Sequence, residues 1–197
     1  ANWMWPCRNE GEDARLYKAV KAISDFAIEL GINIPTGKDS LSMTQKYPGG
    51  ETVMAPGTVI ISTVGEVTDI RKVISPVLKN SLTSTLLYID FSKSRFNLGG
   101  SSFAQALNKL GGETPEVKDA GYFRLCFEAL QYLINKGMIL AGHDISAGGL
   151  ITALLEMTFS HNSIGMDLNL DDLGEKDIIR LLFSEKPGVV IQVNDLD

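Results

Sequence analysis

The sequence predicts an α+β protein built as α/β/α layers. Two observations carry this. Between Ser84 and Asn194, short apolar runs alternate with segments of helical periodicity, the pattern of a sheet with helices packed on it. Between Ala1 and Thr68 there is one long amphipathic helix and a few strand-like runs, too little to close a core alone. The predicted domains are residues 1–80, an incomplete α/β domain plus linker, and residues 81–197, with the boundary falling near Asn80 to Thr83.

The helix of the first domain is predicted from Glu12 to Leu30. Leu16, Val20, Ile23, Ala27 and Leu30 recur on one face, the acids Glu12 and Asp13 suit its first turn, and Gly31 suits the position after its end. Ile32-Asn33-Ile34 reads as extended before Pro35. Thr36-Gly37-Lys38-Asp39-Ser40-Leu41-Ser42-Met43 combines a glycine, a cation, an acid and two hydroxyls. Two readings stay open for it: a phosphate contact through Lys38, Ser40 and backbone N–H groups, or a polar turn entering a strand. It is not a Walker A loop, because the glycine spacing is wrong and Asp39 stands where a hydroxyl is required. Tyr47 to Glu51 is a loop, and Gly57 to Val67, rich in Val, Ile and Thr, predicts a strand.

The second domain opens with a strand over Thr85 to Phe91. A polar loop leads to Leu98-Gly99-Gly100-Ser101-Ser102, and a helix follows through Phe103, Ala106, Leu107 and Leu110, with Ser101 or Ser102 as its cap. Phe123, Phe127, Leu130 and Ile134 mark a long helix stopped by Gly137. Met138-Ile139-Leu140 is a buried strand, and Leu150 to Met157 a helix ending near His161-Asn162. Ile164 to Leu170 alternates as a half-buried strand, Ile178, Leu181 and Leu182 indicate a helix, and Gly188 to Val193 is the final strand. The order β-α-α-β-α-β-α-β has ferredoxin-like character and suits a mixed sheet.

Composition narrows the function. Of 197 residues, 44% are hydrophobic and 21% charged, ordinary for a chain with a core. A net charge of −6 argues against a general nucleic-acid or anionic-membrane surface but permits a local anion site. Cys7 and Cys126 form neither a disulfide framework nor a zinc motif, which predicts a reducing, cytoplasmic setting. No apolar run approaches the length of a membrane span. The ends, Ala1-Asn2-Trp3-Met4-Trp5-Pro6 and Asp195-Leu196-Asp197, predict a segment of a longer polypeptide.

The stretch richest in chemistry is Ala141-Gly142-His143-Asp144-Ile145-Ser146-Ala147-Gly148-Gly149-Leu150. A strand end delivers a carboxylate, and a serine and glycines then open a helix. A helix N-terminus attracts anions, and a carboxylate can hold a divalent cation that bridges to phosphate. The same residues equally describe a plain strand–turn–helix connection with Ser146 as N-cap. The start near Ser101 is a second small-residue helix opening, and together the two would suit a phosphate-facing rim.

Ala1-Asn2-Trp3-Met4, Gly11-Glu12-Asp13-Ala14, Ile34 to Met43 and His143 to Leu150 occur together and in this order. The set closely resembles the large, single-chain form of phosphoribosylformylglycinamidine synthase, the FGAR amidotransferase family, over essentially the full chain. The His-Asp-x-Ser-x-Gly-Gly-Leu element alone is shared with aminoimidazole ribonucleotide synthetase and selenophosphate synthetase. The resemblance implies an ATP-dependent ligase of purine biosynthesis that uses glutamine-derived ammonia. It implies the end of the second N-terminal-type domain followed by the second C-terminal domain of the aminoimidazole ribonucleotide synthetase type. The implied cofactors are ATP or ADP and Mg2+. The implied partners are further domains of the same polypeptide, a glutaminase among them, and a small-molecule substrate, with no nucleic acid and no membrane.

Carried over residue by residue, Asp144 matches a magnesium ligand and Ser146 a nucleotide contact, in a second-half site that resembles a structural ADP site. Gly37 matches a position touching ATP, and Ser40 one touching substrate. Lys38 stands where smaller relatives have a magnesium-binding asparagine, so it is expected to meet phosphate directly. No catalytic residue carries over, and His143 is expected to be a positioning residue or a satisfied polar group. Other readings are a non-catalytic nucleotide-binding module, or part of a related ATP-using enzyme such as aminoimidazole ribonucleotide synthetase.

Overall fold

A computed structural model describes residues 1–161 and 163–195. The chain divides into two compact units, Ala1–Thr68 and Asp69–Asp197. The division falls at 68/69, where the sequence suggested 80/81, and the hydrogen bonds of residues 69–80 explain the difference. The Gly142 N–H donates to the Ser75 carbonyl, the Leu78 N–H to the Met157 carbonyl, and the Lys79 N–H to the Gln192 side chain. Leu78 is itself part of the second unit's core. Mixed polarity and weak periodicity marked this stretch as a linker, but its backbone is tied down by long-range partners.

In the first unit, α1 (Glu12–Leu30) ends as expected, with Gly31 at φ 74° donating to the Ala27 and Ile28 carbonyls. A three-stranded sheet runs β2-β1-β5: β1 (Asn2–Met4) pairs in parallel with β2 (Lys38–Ser40) and antiparallel with β5 (Thr58–Ile60). A separate hairpin joins β3 (Thr44–Lys46) to β4 (Thr52–Met54). The strand expected over 57–67 stops at Ile60. β1 offers only three residues to pair with, and Val64 beyond it is 101% exposed. A β-branched run without a partner is not held as a strand. The buried hydrophobic side chains described in this unit are Trp5 and Ala27.

The second unit holds a three-stranded sheet, β6 (Ser84–Asp90), β8 (Gly188–Asn194) and β7 (Ile139–Asp144), with β8 at its centre. Both pairings are antiparallel, so the described sheet is not mixed. Its helices are α2 (Ser102–Ala106), α3 (Ala120–Asn135), α4 (Gly149–Thr158) and α5 (Ile178–Phe183). The core gathers Leu78, Ala141, Ile145, Leu150, Ala153, Leu154, Met157, Leu181 and Val190. The unit is α+β, as expected. Residues 164–170 are not a strand. Ile164, Met166 and Leu170 nevertheless pack against the core, so the alternation marks burial without ladder pairing. The helix after Ser101 ends at Ala106, and Leu107 and Leu110 are exposed. α4 ends at Thr158, and Asn162, Leu196 and Asp197 lie outside the described residues. Among the described residues no helix is long and apolar enough to cross a membrane.

Candidate functional site

The site is built where β7 turns into α4. Asp144 is the last residue of β7, in register with Val189, and the next N–H, from Ile145, donates to the Gly188 carbonyl at 2.8 Å. The strand is therefore held up to its final residue, and the Asp144 side chain emerges 74% exposed. An apolar groove lined by Phe91, Phe123, Phe127 and Ile139 runs up to His143 and Asp144. His143 lies between two acceptors, the Asp144 carbonyl 2.8 Å from Nδ1 and the Glu156 carboxylate 2.9 Å from Nε2. Its ring is pinned to the flank of α4, the arrangement of a positioning residue or a satisfied polar group.

The turn that follows has a defined geometry. Gly148 and Gly149 both have positive φ, 90° and 76°. At Gly149 there is also no room for a side chain: a Cβ would lie 2.7 Å from the Leu182 carbonyl oxygen and 2.7 Å from the Phe183 carbonyl carbon. Two glycines are thus required for backbone reasons. The N-cap residue of α4 is Gly148, with no side-chain cap. Ser146 therefore does not cap the helix. Its carbonyl accepts the Gly149 N–H at 3.0 Å, and its side chain is exposed.

The anion at this helix start belongs to the protein. Glu185 Oε1 accepts the Gly148 N–H at 2.9 Å and the Ser102 N–H at 2.7 Å. The two small-residue helix openings, 46 residues apart in sequence, converge on one carboxylate. Partial burial alone would raise the Glu185 pKa. The bonds from both N–H groups and from the Ser102 hydroxyl outweigh it and hold the carboxyl below its ordinary value. Phosphate at the same two N–H groups would meet a resident negative charge, so the expected phosphate-facing rim is already filled at this point.

A buried ion pair stands beside it in sequence. Lys186 is 7% exposed, with Nζ 2.9 Å from Asp90 Oδ2 and 4.3 Å from the Phe96 ring centroid. Partial burial pushes the Asp90 pKa up, but the Ser92 N–H, Lys186 and the Ser92 hydroxyl together bring it below its ordinary value. Sequence reading singled out none of Glu185, Lys186 and Asp90. The available signal was an adjacent acid and cation directly before the Pro187-Gly188 start of a strand. Only the register that sets Asp90 opposite Gly188 brings that cation to that acid.

The other expected residues lie in the first unit. Lys38 and Ser40 are alternate residues of β2, with Lys38 Nζ hydrogen-bonded to the Ser40 hydroxyl. They sit on a strand, held by the Lys38 N–H to the Ala1 carbonyl and the Trp5 N–H to the Ser40 carbonyl, both 3.0 Å. Gly37 has no positive φ, and a Cβ there would make only an ordinary 3.6 Å contact. The structure thus groups Lys38 with Ser40, and Asp144 with Ser146, each pair within its own unit. Among the described residues no group of three or more His, Cys, Asp or Glu side chains could hold a metal ion. Asp144 offers one exposed carboxylate, and the described residues do not complete a metal site.

Comparison with known proteins adds the context. Residues 1–66 match the FGAR-AT PurM_N-like domain, and residues 91–195 match the AIR synthase related protein, C-terminal domain. The chain is 41% identical over 194 residues to a probable phosphoribosylformylglycinamidine synthase, chloroplastic/mitochondrial, of Arabidopsis thaliana. That match covers 98% of the chain and 14% of the relative. It is 40% identical over 203 residues to the phosphoribosylformylglycinamidine synthase of Dictyostelium discoideum, covering 98% and 15%. The chain therefore spans only about a seventh of the length of these relatives. Among solved structures, it resembles Thermotoga maritima PurL complexed with FGAR (TM-score 0.60, 14% identity, 98% of this chain and 30% of that one). It also resembles T. maritima PurL complexed with AMPPCP (TM-score 0.55, 12% identity, 98% and 28%), and at these identities the likeness is one of fold.

Proposed function

The chain belongs to the AIR synthase related family through its second unit, and on that premise we propose that it is part of a phosphoribosylformylglycinamidine synthase. The reaction converts formylglycinamide ribonucleotide, glutamine and ATP to formylglycinamidine ribonucleotide, glutamate, ADP and phosphate. The observation that carries this reading is identity of about 40% along 98% of the chain, both units included, to two proteins of that name. The remaining domains of the polypeptide, a glutaminase among them, supply what these residues lack. Two free cysteines, far apart in sequence, suit the reducing cytoplasm.

Within this reading, Asp144 and Ser146 face a bound nucleotide. Asp144 presents an exposed carboxylate at a rigid strand end, and Ser146 an exposed hydroxyl on the turn beside it. Mg2+ commonly takes one or two carboxylates together with phosphate oxygens and water. One carboxylate from this chain fits that pattern, the other ligands coming from elsewhere in the polypeptide. Lys38 and Ser40 belong to the substrate side, and Gly37 to the nucleotide. The Lys38 ammonium, fixed by Ser40, offers a point charge to a phosphate, and the Gly37 backbone leaves room for the nucleotide.

The test uses the full-length enzyme, purified gently and assayed for retained nucleotide. We expect tightly held ADP that Asp144→Asn releases, and unchanged retention would overturn the Asp144 assignment. Residues 1–197 alone should not turn over ATP with formylglycinamide ribonucleotide and ammonia. Turnover by that piece would show that it is no mere part of the catalyst.

A further inference from the structure

The bonds to Glu185 are not ordinary helix capping. α2 already has its own cap, since the Ser101 hydroxyl oxygen accepts the Ala104 N–H. Glu185 instead takes the Ser102 N–H across 83 residues and the Gly148 N–H across 37. α4, in turn, has no side-chain cap from its own sequence. The segment that carries Glu185 is pressed against the same turn from below, because Gly149 meets the backbone of Leu182 and Phe183 at a distance only glycine permits. On its other side, the neighbouring Lys186 is locked to Asp90, and the Ser184 hydroxyl donates to the Asn97 carbonyl at 2.8 Å. Residues 184–186 are therefore fixed on both flanks, and the carboxylate between them has a defined position. It joins two turns that share no hydrogen bond of their own among those described.

We propose that Glu185 is a positioning residue for nucleotide binding: its carboxylate locks the Gly99–Ser102 turn to the Ser146–Gly149 turn, so that Asp144 and Ser146 are presented as one rigid rim. This rests on the reading of Asp144 and Ser146 as nucleotide contacts. Glu185 touches no phosphate. It removes the freedom of the glycine-rich turn, which would otherwise have to be ordered at the expense of binding. It also places a negative charge at the start of α4, so phosphate is directed to the Asp144 and Ser146 side of the turn and away from the Gly148 N–H. The charge makes the two bonds stronger than neutral ones.

The test is the affinity of the full-length enzyme, stripped of nucleotide, for ADP with magnesium. It is measured by calorimetry well below the melting temperature of every variant. Glu185→Ala should weaken ADP binding about tenfold or more, the scale of two lost charge-assisted bonds. Glu185→Gln, whose amide oxygen still accepts both N–H groups, should stay within about threefold. Ser102→Pro removes one donor at the first position of α2, where proline is tolerated, and should weaken binding severalfold. A role in stability alone would shift melting temperatures and leave these affinities unchanged in the folded protein, and that result would overturn the proposal. If Glu185→Ala does not fold, the decision rests on Ser102→Pro: wild-type affinity there overturns the link between the turns. Wild-type enzyme that binds no ADP at all would overturn the nucleotide-site reading itself.

Discussion

Gln192 and Lys79 exchange a reciprocal pair of hydrogen bonds: the Gln192 amide oxygen accepts the Lys79 N–H at 2.8 Å, and its NH2 donates to the Lys79 carbonyl at 2.9 Å. The same NH2 reaches the Ser84 hydroxyl at 2.9 Å. A buried side chain in the central strand thus behaves as a substitute backbone. It satisfies a segment that has no strand partner and attaches residues 69–80 to the second unit. Gln192→Ala should cost about 1–3 kcal/mol by leaving both Lys79 groups unsatisfied. Denaturant unfolding of the second unit would read this, and an unchanged midpoint would refute it.

Gly149→Ala combines a positive φ with contact against the Leu182–Phe183 backbone. A destabilisation of at least about 2 kcal/mol is expected. Gly165→Ala is the internal control. Nothing lies within 4 Å of its Cβ position, so it should remain within about 0.5 kcal/mol of wild type. Equal melting temperatures for the two variants would contradict this account of the turn.

Asp90 and Glu185 both have depressed pKa values in the folded protein. A carboxylate whose folded pKa lies below its unfolded value contributes stability that is complete above the unfolded value. That contribution is lost as pH falls through the folded one. The second unit should therefore weaken as pH drops below about 4, with little change between about 5 and 7 from these two groups. Asp90→Asn leaves the Lys186 ammonium buried without its counter-charge and should cost about 3 kcal/mol at neutral pH. It should also flatten the acid limb of the stability profile. A variant whose acid limb matched wild type would exclude Asp90 as a source of it.

Lys38→Ala, on the exposed edge of β2, should leave the folded structure intact. In the full-length enzyme it should raise KM for formylglycinamide ribonucleotide about tenfold, the scale of one charge-assisted bond to phosphate. A fall in kcat with unchanged KM would move Lys38 from substrate binding to a later step.

The elements that sequence reading located best are those whose signals are local. The face and both ends of α1 followed from Leu16, Ile23, Ala27 and the Gly31 cap, and the span of β8 from the Val189-Val190-Ile191 run and Val193 beyond it. What escaped reading depends on partners. Residues 61–67 have strand composition but nothing to pair with, and residues 164–170 have strand alternation but only core contact. In the candidate site, the Asp144–Gly149 turn was legible as a motif, because a carboxylate, a serine and two glycines must stand together in sequence to make it. Glu185 was not legible, since its role arises from two N–H donors that only the fold brings to it. For the same reason, the helix starts at Ser101 and Gly148 could be recognised as anion-seeking while the identity of the anion stayed hidden.

β8 lies between β6 and β7, and its residues follow both in the chain. During synthesis, β6 and β7 have each other's company but no hydrogen-bonding partner until the residues near 188–194 leave the ribosome. The sheet is then completed by a single insertion that zips two ladders at once. At the same moment Glu185, Lys186 and Gln192 arrive at the loops they tether. Nearly everything that orders the Asp144–Gly149 turn is therefore delivered by one late stretch of chain, and a nascent second unit should remain protease-sensitive until that stretch is made.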